Sequence, residues 1–429
     1  MKYTKEQQEI IDISDKNIIV SASAGSGKTT IMIEKIYQII SSQKIPVKDI
    51  LVVTFTKSAA LEMKQKLSNK LSENIDDAFI QSQVDDLPTA DICTVDSFCE
   101  KIVKKYFYLL GIDESFSILS AQEKADLSGR AMNSLNAFKA KNPDDYLLLL
   151  DVLSNNRTEK KLKELIEQTY NFTSSLRDED EFLEKSKLLY TDKHITLDFL
   201  TAFLNDEISS YVNKLKFYQQ KSKNLGLDKY VANINFYLSY LNNIALSKDF
   251  CKKIDLIAEK DSHSLYKDKD DGTNLKEAIS NTKKNCQKFL DDFAKKFGSG
   301  ALIENSFEST LQIYNAFVTL YQLFKQKFSD LKTKYNCLDF ADLEKYTLQL
   351  FKNESVLADL KHSYKKIFVD EFQDVNDIQF TIFDTLKQND NIFYVGDFKQ
   401  AIYGFRQSNP NLFLQTIKDF ILNESCEYK

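Results

Sequence analysis

The segment Ala22-Ser23-Ala24-Gly25-Ser26-Gly27-Lys28-Thr29 constrains the fold of this chain more than any other. A β-branched run, Ile18-Ile19-Val20, precedes it, and Ile31, Ile36 and Ile39 follow at helical spacing. The segment therefore turns from a buried strand into a helix. Its pattern is G-x-x-x-x-G-K-[ST], with Ala22 in place of the first glycine. Small residues let successive backbone N–H groups face phosphate oxygens, and the N-terminus of the next helix adds its positive end. A glycine-rich turn without a ligand is the plainer reading; the strand before and the helix after weigh against it. Ala22, Ser23, Ala24, Gly25, Ser26, Gly27, Lys28, Thr29 and Thr30 are thus candidate nucleotide-binding residues. In that cradle Lys28 would hold the β- and γ-phosphates of ATP, and the Thr29 hydroxyl would ligate Mg²⁺.

Such a loop needs an acidic partner on a neighbouring strand. The apolar run Ile367-Phe368-Val369 leads into Asp370-Glu371-Phe372-Gln373-Asp374. Asp370 is a second candidate metal residue, and Glu371 the candidate activator of an attacking water. Taken alone, an acidic pair at a strand end is often only solvated. Beside the phosphate loop, the chemical reading is preferred.

From the start to residue 110, short strand-like runs alternate with helical stripes. Ile50-Leu51-Val52-Val53 and Ile92-Cys93-Thr94-Val95 are strand candidates, and Ala59, Ala60, Met63, Leu67 and Leu71 repeat as a helix would. The alternation returns at Ile392-Phe393-Tyr394-Val395, preceded by the stripe Ile378, Ile382, Phe383 and Leu386. It predicts a parallel sheet with helices on both faces. In between, residues 144–409 contain no proline, and Leu311, Tyr314, Val318, Tyr321, Phe324, Phe328 and Leu331 form a helical core face. Lys267-Asp268-Lys269-Asp270-Asp271-Gly272 reads as a solvated loop and Phe297-Gly298-Ser299-Gly300 as a turn. The expected class is α/β: a P-loop parallel sheet built from 1–111 and 336–429, with a large all-helical domain inserted at 112–335.

Composition narrows the function classes. With 429 residues the chain exceeds one ordinary core. A net charge of −6 argues against coating nucleic acid by bulk electrostatics. It leaves room for a groove that grips one strand through stacked aromatics. The cysteines at 93, 99, 251, 286, 337 and 426 lack C-x-x-C spacing, which suits buried thiols and not a four-cysteine metal cluster. No apolar run is long enough for a bilayer and no signal peptide opens the chain, so a cytoplasmic protein without a membrane partner is expected.

Further segments carry a family resemblance. Asp370-Glu371-Phe372-Gln373-Asp374 resembles the D-E-x-Q-D box of UvrD/Rep-type superfamily 1 helicases. Thr4-x-x-Gln7 resembles the Q motif, and Thr54-Phe55-Thr56-Lys57-Ser58-Ala59-Ala60-Leu61-Glu62-Met63 is similar to T-F-T-x-x-A-A-x-E-M. Thr94-Val95-Asp96-Ser97-Phe98-Cys99 resembles T-[IL]-H-S-F-C. Val395-Gly396-Asp397-Phe398-Lys399-Gln400-Ala401-Ile402-Tyr403-Gly404-Phe405-Arg406 resembles V-G-D-x-x-Q-x-I-Y-x-[FW]-R. Within that family, Leu338-Asp339-Phe340-Ala341-Asp342-Leu343 and Lys104-Lys105-Tyr106-Phe107-Tyr108 are most similar to the AddA branch, the A subunits of bacterial helicase–nucleases. Asp339 and Asp342 also suit a helix cap.

The resemblance implies a RecA-like ATP-binding motor domain that couples ATP hydrolysis to translocation on single-stranded DNA and unwinding of duplex ends, in recombinational repair of double-strand breaks. It implies that Gln7 reads adenine, that Gln400 senses the γ-phosphate, and that Phe55, Tyr403 and Phe405 stack on bases beside Arg406. It also implies a second helicase–nuclease subunit of AddB type as partner. Three positions depart from the family pattern: Asp96 stands where histidine is common, Phe405 where many relatives have tryptophan, and Lys35 where arginine is frequent. After Arg406 the chain has no arginine and nothing similar to N-[FY]-R-S. A first motor domain without the second motor domain or a nuclease domain is therefore expected, binding ATP far better than it turns it over. A non-catalytic ATP- and DNA-binding module, a UvrD-like repair helicase without nuclease, and a P-loop ATPase of another class stand as alternatives.

Overall fold

The computed structural model describes residues 3–23, 25–73, 77–154, 157–259, 274–400, 408–423 and 426–429. The chain forms two compact units, one of Met1–Lys141, Asn156–Glu179 and Leu320–Lys429, the other of Asn142–Asn155 and Asp180–Thr319.

The first unit is built on six parallel strands: β1 (Asn17–Ser21), β2 (Ile50–Thr54), β3 (Ile92–Thr94), β4 (Lys366–Val369), β5 (Ile392–Gly396) and β6 (Cys426–Tyr428). Their order is β3-β2-β4-β5-β1-β6, with Ile18 opposite Phe393 and Val52 opposite Phe368. Side chains alternate across a strand, so a sheet covered on both faces buries every position. Here Ile19, Leu51, Val53, Ile367 and Tyr394 enter one core. Ile18, Val20, Val52, Phe368 and Phe393 enter the other. The five strand runs expected from sequence all form. The sixth, Cys426-Glu427-Tyr428, carries no apolar run and was not expected.

Four helices frame the site: α1 (Lys5–Asp12), α2 (Lys28–Gln43), α3 (Lys57–Ser72) and α4 (Phe340–Phe351). The expected α3 stripe is inside, with Ala60, Met63, Leu67 and Leu71 all buried. Asp339 caps α4 through a reciprocal box with Asp342. Asp339 is also buried among ionic partners, with Lys124 Nζ at 3.1 Å and the Tyr170 hydroxyl at 3.2 Å, while Lys332 reaches Asp342 at 2.6 Å. These contacts, with Phe324 and Phe328 packed on Tyr170, explain why 112–141, 157–179 and 320–335 group with the sheet, although the sequence suggested one insertion over 112–335.

The second unit is helical. Its longest members are Lys193–Asn224 and Leu275–Phe297, and Leu204, Ile208, Leu241, Ile254 and Leu290 form its core. The turn expected at Phe297-Gly298-Ser299-Gly300 separates two helices, with Gly298 at φ 74°. The loop Lys267–Gly272 lies outside the described residues. Among the described residues no helix is long and apolar enough to cross a membrane, and all six cysteines are unbridged.

Candidate functional site

β1 delivers the chain to the carboxyl edge of the sheet, where it turns into α2. Gly25 and Gly27 have φ of 73° and 87°, left-handed values that glycine adopts without steric cost. Gly27 caps α2 with no side-chain hydrogen bond to the first turn. The opening N–H groups of this sixteen-residue helix thus lack the usual cap, the arrangement that attracts an anion. The Ala22 N–H donates to the Gly396 carbonyl at 3.0 Å, which ties the loop to β5. Lys28 and Thr29 open α2; Ala24 lies outside the described residues.

The acidic box follows β4, two strands from β1. Asp370 donates its backbone N–H to Val53 at 2.9 Å and accepts the Glu371 N–H on its own carboxylate at 3.0 Å. Burial, then the neighbouring Glu371 charge, pushes the Asp370 carboxyl up to about 6. Glu371 adopts φ 50°, a strained value for a side chain of its size, and so points back across the sheet edge. There its Oε2 meets Lys28 Nζ at 3.3 Å. The structure therefore brings the loop lysine and the box glutamate together.

Gln373 links this pair to β5. Its Nε2 donates to Glu371 Oε2 at 2.8 Å, and its Oε1 accepts the Asp397 N–H at 2.9 Å. Gln400 Nε2 in turn donates to Asp397 Oδ2 at 2.5 Å. A side chain on Gly396 would meet Gln373 Oε1 at 2.5 Å, so the bridge requires glycine there. Sequence reasoning gave Gln373 no role; its place inside the D-E-x-Q-D box was the available signal.

Gln7 lies on α1, where it closes a capping box with Thr4 and donates from Nε2 to the Ser26 carbonyl at 3.0 Å. The expected adenine reader thus touches the phosphate loop directly.

A separate cleft of about 560 Å³ opens at the ends of β2 and β3, lined by Phe55, Thr94, Asp96, Phe340, Asp374 and Gln379 among others. Phe55 is half-buried in its wall. Beneath it Glu344 accepts from Gln379 at 2.6 Å and Asn376 at 3.3 Å, and burial pushes its carboxyl up to about 7. Asp374 is also buried, and its Oδ1 has no hydrogen-bond partner among the described residues. Sequence reasoning gave neither acid a role: Asp374 closes the D-E-x-Q-D box, which was the available signal, whereas a lone buried carboxyl such as Glu344 leaves no periodic trace. Tyr403, Phe405 and Arg406 lie outside the described residues.

Among known families, the UvrD/REP helicase N-terminal domain matches residues 3–248 and 227–421. The ATP-dependent helicase/nuclease A subunit of Lactobacillus johnsonii is 30% identical, over 99% of this chain and 38% of its own length. Its namesake in Ligilactobacillus salivarius is 31% identical over 99% of the chain and 36% of its own length, and that in Clostridium beijerinckii 30% over 96% and 36%. The chain spans a little over a third of the length of the curated relatives it matches. With a loop lysine, a D-E-x-Q-D box and a bridging Gln373 meeting at one sheet edge, and with the family match covering most of its length, this chain belongs to the UvrD/REP helicase family.

Proposed function

We propose that this chain is the ATP-binding motor part of an ATP-dependent DNA helicase, of the kind found in helicase/nuclease A subunits. The observation that carries the reading is the junction of Lys28, Glu371, Gln373 and Asp397 across β1, β4 and β5. In this reading 1–111 with 336–429 are a RecA-like P-loop domain and 112–335 a helical insertion, parts of which group with the sheet. Ala22 to Thr30 cradle the phosphates, with Lys28 as their countercharge, and Gln7 reads adenine.

Mg²⁺ fits this site. Asp370 is a buried carboxyl whose ionised form is disfavoured by its surroundings, and a divalent cation offsets that cost. Thr29 and Asp370 would hold the ion, whose chemistry there would be neutralisation of phosphoryl charge. Glu371 takes the proton of the attacking water. Gln400, fixed on Asp397, senses the terminal phosphate. Phe55, Tyr403 and Phe405 stack on bases of a single strand, with Arg406 beside them, so that hydrolysis drives translocation and unwinding from duplex ends. A second helicase–nuclease subunit is the expected partner, in recombinational repair of double-strand breaks.

Titration with a fluorescent ATP analogue and Mg²⁺ tests the nucleotide site. Wild type should bind and Lys28→Ala should not; equal affinities would refute the assignment.

A further inference from the structure

α1 has only eight residues, too few to hold a helix by itself in water. Its position therefore depends on the packing of Ile10 and Ile11 in the core and on what grips its ends. The N-terminal end is closed by the Thr4–Gln7 box. The last carbonyls of a helix have no partner within it, and here Lys35 of α2 supplies one. Its Nζ donates to the carbonyls of Ile11 at 2.7 Å, Ile10 at 3.3 Å and Ile13. Three carbonyls match the three N–H bonds of an ammonium group. Lys35 is 4% exposed, so this is a buried clamp and not a surface contact. Next to it on α2, Glu34 accepts the Tyr3 hydroxyl at 2.7 Å, a second tether on the same short segment.

We propose that Lys35 is a positioning residue for adenine selection: by clamping the carboxyl end of α1 to α2, it holds Gln7 against the phosphate loop. Lys28 and Lys35 lie two turns apart on one helix, so the clamp and the loop form one rigid body about 10 Å long. The inference rests on the proposed nucleotide role of that loop and of Gln7.

The clamp is sensitive to pH. Burial, then Lys366 on β4, pulls the Lys35 ammonium down to about 8, while Asp12 and Asp15 oppose the shift. Lys16 and Asp390 line the same small cavity. A neutral amine has two N–H bonds for three carbonyls, so α1 loses one tether as pH rises through this range.

Calorimetric titration of wild type, Lys35→Met and Lys35→Arg with Mg·ATP and with Mg·tripolyphosphate tests this, because tripolyphosphate carries no base. Lys35→Met should lower the preference for ATP over tripolyphosphate about five- to ten-fold, the scale of one or two lost hydrogen bonds. Its tripolyphosphate affinity should stay within about two-fold of wild type, and Lys35→Arg should keep the preference. The wild-type preference should fall between pH 7 and 9, and that of Lys35→Arg should stay flat because arginine does not titrate there. An undiminished preference in Lys35→Met, or a decline in Lys35→Arg as steep as in wild type, would overturn the proposal. Should Lys35→Met not fold, the two pH profiles decide alone. Tripolyphosphate binding that survives Lys28→Ala would instead refute the underlying nucleotide reading.

Discussion

Lys28 and Glu371 stand 343 residues apart in the chain and 3.3 Å apart in space. One opens the helix behind the phosphate loop, and the other is the second residue of the acidic box. Each charge is the nearest competitor for what the other is proposed to bind. Glu371→Gln removes that competition for Lys28. Its affinity for an ATP analogue should equal or exceed the wild-type value, while any hydrolysis is lost. A marked loss of affinity in Glu371→Gln would show that the glutamate, too, is needed to hold the ligand. The pair is partly exposed, so its effect on stability should stay below about 1 kcal/mol.

Asp374 predicts a pH-dependent gain in stability. Burial, then Glu371, raises its carboxyl from 3.8 to about 6. The folded state then holds the proton more tightly than the unfolded one, so stability declines as pH rises from about 4 to 6 and stays lower at neutral pH. Asp374→Asn removes the buried charge and should stabilise the fold at pH 7.5 by about 1–3 kcal/mol. Urea midpoints measured at pH 5.0 and 7.5 check the sign: the gain should be smaller at pH 5.0.

Gln373 and Gly396 should be energetically coupled. Gly396→Ala sets a methyl group 2.5 Å from Gln373 Oε1, a clash worth about 1–3 kcal/mol in a packed interior. Gln373→Ala removes the obstacle. The double variant should therefore be more stable than the sum of the single losses, and a denaturation cycle reads the difference. Strict additivity would mean that the neighbours left in place, the Phe413 ring at 3.1 Å and the Gln373 backbone at 3.2 Å, set the cost.

Phe55 tests the strand-end cleft. Phe55→Ala should weaken binding of oligo-dT by about 1–3 kcal/mol, the usual scale for one base–aromatic stack. Anisotropy titrations at two salt concentrations would measure it. The same loss is expected for Phe405→Ala. If neither variant binds more weakly than wild type, these rings are packing residues.

What could be read from the sequence, and what could not, divides along one physical line. Strands such as Ile50–Val53 announce themselves because a sheet buried on both faces needs unbroken β-branched runs. Asp370 and Glu371 were legible because they follow such a run directly, and Lys28 because the small-residue loop after another such run has a fixed pattern. β6 was not, since an edge strand of Cys, Glu and Tyr has no apolar pattern. Nor was the cluster of Lys124, Tyr170, Lys332 and Asp339, which draws four separate segments into one buried network. Such contacts depend on which helices meet, and spacing along the chain does not record that. The helix cap at Asp339 was visible; its ionic partners were not.

The order β3-β2-β4-β5-β1-β6 also has a consequence for synthesis. The strand that feeds the phosphate loop, β1, is made among the first two dozen residues. Both of its neighbours, β5 and β6, emerge more than 370 residues later. On the ribosome, β1 must wait without a partner on either edge, and so must the loop that follows it. The core of the helical unit, whose described residues run from Leu204 to Ile303, is complete well before then. The proposed nucleotide site therefore cannot assemble before β5 has emerged, and an interrupted chain would expose an unpaired apolar strand, a target for aggregation and for chaperones.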